Sequence, residues 1–170
     1  MNRLLVQATI AFLLLPGTVA FLVPLFLLAP GGPGSFVNRL GLLPLGLGLV
    51  LLLSCVREFY LAGRGTLAPW APPQALVVTG LYRFSRNPMY VAVLLVLWGW
   101  ALGFRSWSLA AYAVAIMVAF HLRVVFYEEP WLARTHREKW MDYKARVPRW
   151  FGVHHNHQIA DESNARSART

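Results

Sequence analysis

Hydrophobic positions in this chain come in long blocks, and the polar residues are gathered between them. Four blocks, residues 4–29, 40–59, 88–104 and 107–127, each come near the ~20 residues that a helix needs to cross a bilayer. The first is interrupted by Pro16-Gly17 and Pro24, which predicts a kinked helix that either spans or re-enters. Residues 30–36, PGGPGSF, are a turn by composition. In the second block Gly41, Gly46 and Gly48 offer places where a neighbouring helix can approach closely. A polar, proline-rich connection covers residues 62–87, and only Arg105-Ser106 separates the third block from the fourth, which predicts a tight antiparallel hairpin. After Glu128-Glu129-Pro130, the positions Leu132, His136, Trp140, Tyr143 and Val147 share one helical face, with most cations elsewhere. This predicts a basic amphipathic helix over 131–146 at the membrane interface, acting as an anchor or as a lid. The tail from 154 to 170 reads as disordered.

The expectation is therefore all-α: a polytopic membrane helix bundle with about four transmembrane helices and a C-terminal interfacial helix, one domain over residues 1–153. Composition agrees, with 57% hydrophobic residues and only 14% charged ones, against about 25% charged in soluble domains. The net charge of +9 could suggest nucleic acid, but the cations flank apolar blocks or lie in the last third, where bilayer anchoring accounts for them. Arg57, Arg64, Arg83 and Arg86 bracket the middle connection, and six further cations lie between Arg134 and Arg149. The two opposite turns carry Arg39 and Arg105 alone, so both termini, the connection and any site beside it are expected in the cytoplasm, at an inner membrane if the source is prokaryotic. The N-terminus reads as a retained first span, not a cleaved signal. Cys55 is the sole cysteine, which excludes an internal disulfide or thiolate metal site. His154 to His157 lie in the polar tail and predict adventitious metal binding at most.

Two constellations carry candidate chemistry. Asn87-Pro88 at the start of the third block is an ordinary helix opening, with a capping residue followed by proline at the first position. Arg83 and Arg86 beside it can snorkel. Glu128-Glu129 is less ordinary: a helix C-terminus and an anionic leaflet both disfavour carboxylates, so these two want a cationic partner, from protein or ligand. Pro130 should keep the helix from continuing undisturbed. The short turn between the third and fourth blocks brings the two constellations together. The mouth so formed suits a ligand with one anionic and two cationic groups, such as S-adenosylmethionine; an internal Arg–Glu salt bridge is the plainer outcome. His121 and Arg123 lie within the fourth block, where ionisable groups usually face a bundle interior or a wet cavity. His121 precedes Glu128 by seven residues, on the same helical face.

The segments TGLYRFSRNPMY (79–90) and EEPWLARTHREKWMDYKARVPRW (128–150) resemble the isoprenylcysteine carboxyl methyltransferase and phospholipid methyltransferase superfamily. Against its first motif, G-x-Y-x-x-x-R-H-P-x-Y-x-G, Gly80, Tyr82, Arg86, Pro88 and Tyr90 match. Asn87 replaces the histidine, as in the phosphatidylethanolamine branch, and Ala92 replaces the last glycine. In the second motif Glu128, Glu129, Leu132, Tyr143, Val147, Pro148 and Arg149 match, while Arg137 stands where glycine is common, Trp140 where tyrosine is common and Gly152 where proline often is.

The resemblance implies an S-adenosylmethionine-dependent methyltransferase acting on a lipid-like or prenylated substrate, with O-methylation of an isoprenylcysteine-type carboxylate as the first expectation and N-methylation of a phospholipid amine as the alternative. Tyr82, Arg86, Asn87, Pro88, Tyr90, Glu128 and Glu129 would hold the cofactor. Glu128, Glu129 and Arg149 would be catalytic, and Arg83, His121, Trp140 and Tyr143 would contact the substrate. No metal and no nucleic acid is expected. O-methylation of an isoprenylcysteine-type carboxylate needs a cation to hold the nucleophile, Arg149 or Arg83, whereas N-methylation of a phospholipid amine needs a proton acceptor, Glu128 or Glu129. A non-catalytic membrane scaffold is the alternative of another class.

Overall fold

The computed structural model describes residues 13–28, 38–61 and 76–151, and among these the secondary structure is entirely helical. Wide π-helical turns over Leu13–Leu22 lead into an α-helix, Val23–Leu28, and together they form α1. A short 3-10 turn, Arg39–Gly41, opens α2, Leu42–Leu61. A second 3-10 turn, Gly80–Arg83, precedes α3, Pro88–Phe104, which is followed by α4, Trp107–Arg123. A π-helical segment, Val124–Glu128, joins α4 to α5, Glu129–Arg146. Arg39–Glu58 and the long run Trp107–Arg146 are long and apolar enough to cross a membrane; Pro16–Leu28 and Pro88–Phe104 are shorter apolar helices. The turn at 30–36, most of the connection after 61, Gly152 and the histidine-bearing tail lie outside the described residues.

α3 is the axis of the bundle because its sequence is apolar on every side, which suits a helix surrounded by other helices. Its Ala92, Val93, Val96 and Leu97 form the core with Ala20 of α1, Leu52 of α2 and Ala113 of α4. α2 lies against α3 at backbone distance. A Cβ added to Gly48 would stand 2.7 Å from the amide nitrogen of Val96, and one on Gly41 2.5 Å from that of Gly103. Gly46 meets nothing within 4 Å, so two of the three glycines of this block make the close approach.

The first segment accommodates Pro24 within its helix. Pro24 has no N–H to give the carbonyl of Ala20, four residues earlier, and the indole Nε1–H of Trp100 donates to that oxygen instead, at 3.0 Å. The Tyr112 hydroxyl does the same for Val19 at 3.2 Å.

The hairpin turns on Arg105, which is left-handed (φ 49°, ψ 40°), and Ser106, whose Oγ accepts from the Leu109 amide at the start of α4. The first residues of α3 and the last of α4 therefore share one end of the bundle. There the expected break at Pro130 takes another form: the helix is widened, not ended. The Glu129 amide donates to the Val124 carbonyl five residues back, and the chain runs on into α5. Widening relieves the clash that a proline ring makes with the preceding turn. α5 kinks instead at Arg137 (φ 40°, ψ −111°).

Candidate functional site

The segment before α3 and the segment after α5 are sewn together by backbone. The Arg86 amide donates to the Pro148 carbonyl at 2.9 Å. Asn87 Nδ2 donates to the Arg149 carbonyl at 3.0 Å, and Ser85 Oγ to the same oxygen at 3.4 Å. Asn87 thus stands at the N-cap position of α3 as the sequence suggests, but its side chain leaves the helix uncapped and reaches across to another segment. Pro88 follows, buried, as the first helical residue.

This stitch sets three arginines around two glutamates. Glu129, on the first turn of α5, receives Arg86 Nη1 at 2.7 Å and a two-pronged grip from Arg149, Nε at 2.8 Å and Nη2 at 2.9 Å. The Arg86 and Glu129 side chains are 9% and 10% exposed, so this pair is nearly dry. Burial pushes the Glu129 carboxyl up, but the Arg149 hydrogen bonds and the charges of Arg86, Arg149 and Lys144 outweigh it and hold the group below the usual carboxylate range. Burial pulls the Arg86 guanidinium down against the opposing pull of Glu129, while the hydrogen bond to Glu129 raises that of Arg149. Arg86 also lies over the Trp140 ring, 5.6 Å from its centroid, and its buried Nε has no hydrogen-bond partner among the described residues.

Glu128 is differently placed. Its Oε1 takes both the Tyr90 hydroxyl and Arg123 Nε, the latter at 2.8 Å, and among the described residues no donor reaches its Oε2. The side chain is 27% exposed. Arg123 and Glu128 are five residues apart, which an α-helix would turn to different sides; the wide turn over Val124–Glu128 stacks them. Tyr90 packs on Phe120 with ring centroids 4.3 Å apart.

Among the other expected residues, Tyr143 donates its hydroxyl to the Tyr82 carbonyl at 2.7 Å. Burial raises both phenols, Tyr82 well above its ordinary value, so each stays neutral. Trp140, Tyr143 and Val147, with Leu132 and Ala133, bury the apolar face of α5 against Leu76. The protein itself, not lipid, takes up that face, and α5 covers the Arg86–Glu129 pair. His136 is the exception on the predicted face and meets Trp131 edge-on. His121 is exposed and stacks on Trp150 at 6.2 Å, with the π-helical turn between it and Glu128. Arg83 is exposed and, among the described residues, hydrogen-bonds to none of the cluster.

The sequence reading missed several members. Ser85 is 1% exposed inside the stitch, and nothing in its type or spacing marks it. Glu58 had a signal, being the acid at the end of an apolar block. Its carboxylate accepts from Thr79 Oγ1 at 2.7 Å and packs against Gly80, whose φ of +57° and lack of a Cβ allow the contact. The first motif's glycine is therefore explained by a carboxylate from α2.

Among known proteins, no curated protein and no solved structure matches the chain. The family model described as phospholipid methyltransferase matches residues 37–139, which include Arg86, Asn87, Tyr90, Glu128 and Glu129 and stop short of Trp140, Tyr143 and Arg149. That is more than half of the chain, with the Arg86–Glu129 and Arg123–Glu128 pairs inside it, and the chain therefore belongs to the phospholipid methyltransferase family, in the superfamily shared with isoprenylcysteine carboxyl methyltransferases.

Proposed function

We propose that this protein is an integral membrane methyltransferase that uses S-adenosylmethionine and methylates the amine headgroup of a lipid. The observation that carries the reading is the unequal state of the two glutamates. Glu129 is saturated by Arg86 and Arg149, whereas Glu128 keeps one oxygen open beside it. Both oxygens of Glu129 are taken up by guanidiniums, whereas Glu128 has an oxygen that meets no donor among the described residues and so offers a place for a substrate proton.

The residues fit the cofactor. Among the described residues Arg86 Nε is a buried donor with no acceptor, as a ligand carboxylate would require, and the cluster of Arg86, Arg123 and Arg149 with Glu128 and Glu129 carries one surplus positive charge. Bound S-adenosylmethionine would supply an electrophilic sulfonium methyl. Arg86, Asn87, Pro88, Tyr82 and Tyr90 would hold it, with Trp140 and Tyr143 closing the site from α5. Glu128 Oε2 accepts the proton that the headgroup ammonium must lose for its nitrogen lone pair to attack. Glu129 keeps Arg86 and Arg149 in register. Exclusion of water by α5 and positioning of the two reactants do the rest.

The membrane placement that goes with this reading has four spans. α3 has 17 residues, at the short end of the range that can span, but it is flanked on both sides by helices that are long enough. The site then faces the cytoplasm with the cations of α5, within one unit over residues 1–153. A prenylated cysteine carboxylate is the second reading. It draws on Arg149, whose side chain is 33% exposed and could present its remaining nitrogen to an anionic nucleophile. His121 and Arg83 stand outside the cluster and would meet only the outer part of a substrate.

The test is methyl transfer from labelled cofactor by the purified full chain, offered total lipid extract and a prenylated cysteine side by side. Base-stable label in the lipid fraction, lost in Glu128→Gln, is expected. Base-labile label on the cysteine compound would shift the reading to O-methylation. Failure of the native protein to bind labelled cofactor would leave the non-catalytic scaffold.

A further inference from the structure

Two phenylalanines from distant parts of the chain flank the two hydrogen-bonded segments and stay outside the core. Phe84 directly precedes the stitched segment at Ser85–Asn87, and Phe151 follows the partner segment at Pro148–Arg149. They are 69% and 71% exposed, although the aromatic Tyr82 and the apolar Val147, a few residues away, are buried. The fold thus has room nearby for apolar groups and leaves these two outside.

Cations accompany them. Arg83 is exposed beside Phe84, and Lys144 and Arg146 are exposed on the last turn of α5, with Asp142 as the acid among them. Lys144 is near enough to bear on the Glu129 carboxylate, and Arg146 turns its Nε to the Asp142 carbonyl while its charge stays outside. The level of this surface is also set. α3 starts at Pro88 and the apolar part of the α4 run ends near Tyr127, at the same end of the hairpin, so the patch lies just beyond where the apolar helices begin.

Exposed aromatic rings flanked by cations, at the boundary of apolar helices, match the headgroup region of an anionic leaflet. Rings enter the upper acyl region while ammonium and guanidinium groups meet lipid phosphates. We propose that Arg83, Phe84, Lys144, Arg146 and Phe151 form a docking surface for anionic phospholipid headgroups, which holds the mouth of the site and the end of α5 at the membrane surface. The proposal rests on the membrane placement of α3 and α4, and it does not depend on which acceptor is methylated.

The test reads position, not activity. Cys55 is wholly buried, so a polarity-sensitive thiol dye on the full-length Phe84→Cys variant reports from position 84, and Phe151→Cys is a second reporter. Each is reconstituted in nanodiscs of phosphatidylcholine alone and of phosphatidylcholine with phosphatidylglycerol. The expected result is a blue-shifted emission in the anionic discs, with most of its intensity lost to nitroxide-labelled lipid. That quenching should fall severalfold in zwitterionic discs, in high salt and in the Lys144→Glu, Arg146→Glu double variant. Quenching by aqueous iodide but not by lipid nitroxide in both discs would overturn the proposal. So would equal lipid quenching in both, since depth would then be independent of headgroup charge.

Discussion

At the scale of single residues, the two adjacent glutamates have different consequences. Removing Glu129 leaves two guanidiniums facing each other, one of them buried, and Glu129→Ala should cost about 3–5 kcal/mol, as breaking a buried ion pair does. Arg86→Ala should cost less, since Glu129 keeps both contacts to Arg149. The linkage to pH has a definite sign. The folded Glu129 carboxyl lies below its unfolded value, so its contribution is present above the unfolded pKa of about 4.3 and is lost as pH falls through the folded one. Thermal unfolding in detergent should show a loss of stability on acidification below about pH 4 that is blunted in Glu129→Gln. Arg137 is the other residue with a stated cost. It occupies a positive φ where the superfamily motif commonly has glycine, a conformation in which a side chain is strained. Arg137→Gly should stabilise the protein by about 1 kcal/mol, read as a rise in melting temperature; a fall would mean that the kink is not strained.

At the scale of helices, close contact of α2 with α3 is what brings the end of α2 to the motif segment. Gly48→Leu puts a side chain into the α3 backbone and should cost about 2 kcal/mol or more. Gly46→Leu meets open space and should leave the melting temperature unchanged. Equal effects of the two would show that the α2–α3 approach is looser than described. The π-helical turn is the second device at this scale. By setting Arg123 over Glu128 it occupies one carboxylate oxygen and leaves the other without a donor among the described residues.

For the molecule as a whole, α5 belongs to the site because its apolar face is spent on the protein. One buried hydrogen bond, Tyr143 to the Tyr82 carbonyl, ties it to the first motif. Tyr143→Phe removes that bond, at about 1 kcal/mol. Amide exchange should quicken over α5 and the turn at 80–83, with α2 to α4 unchanged. Acceleration spread evenly over all helices would mean that α5 does not open on its own.

The sequence by itself determined the helices and where they meet. Runs of apolar residues, a two-residue turn and an Asn-Pro opening are local properties, so the bounds of α3 and the start of α4 could be read directly, though not the change to a π-helix at Val124, and the two charged motifs could be assigned to one end of a hairpin. The family was legible for the same reason, since its motifs are short strings. Which charge pairs with which was not legible, because it depends on register between segments far apart in the chain. The tertiary structure alone decided that Arg149 completes the grip on Glu129, that Arg123 reaches Glu128 through a widened turn, that Glu58 supports Gly80, and that Asn87 spends its side chain across the stitch and not on its own helix. Hydrophobic periodicity reports which face of a helix is buried; it does not report against what.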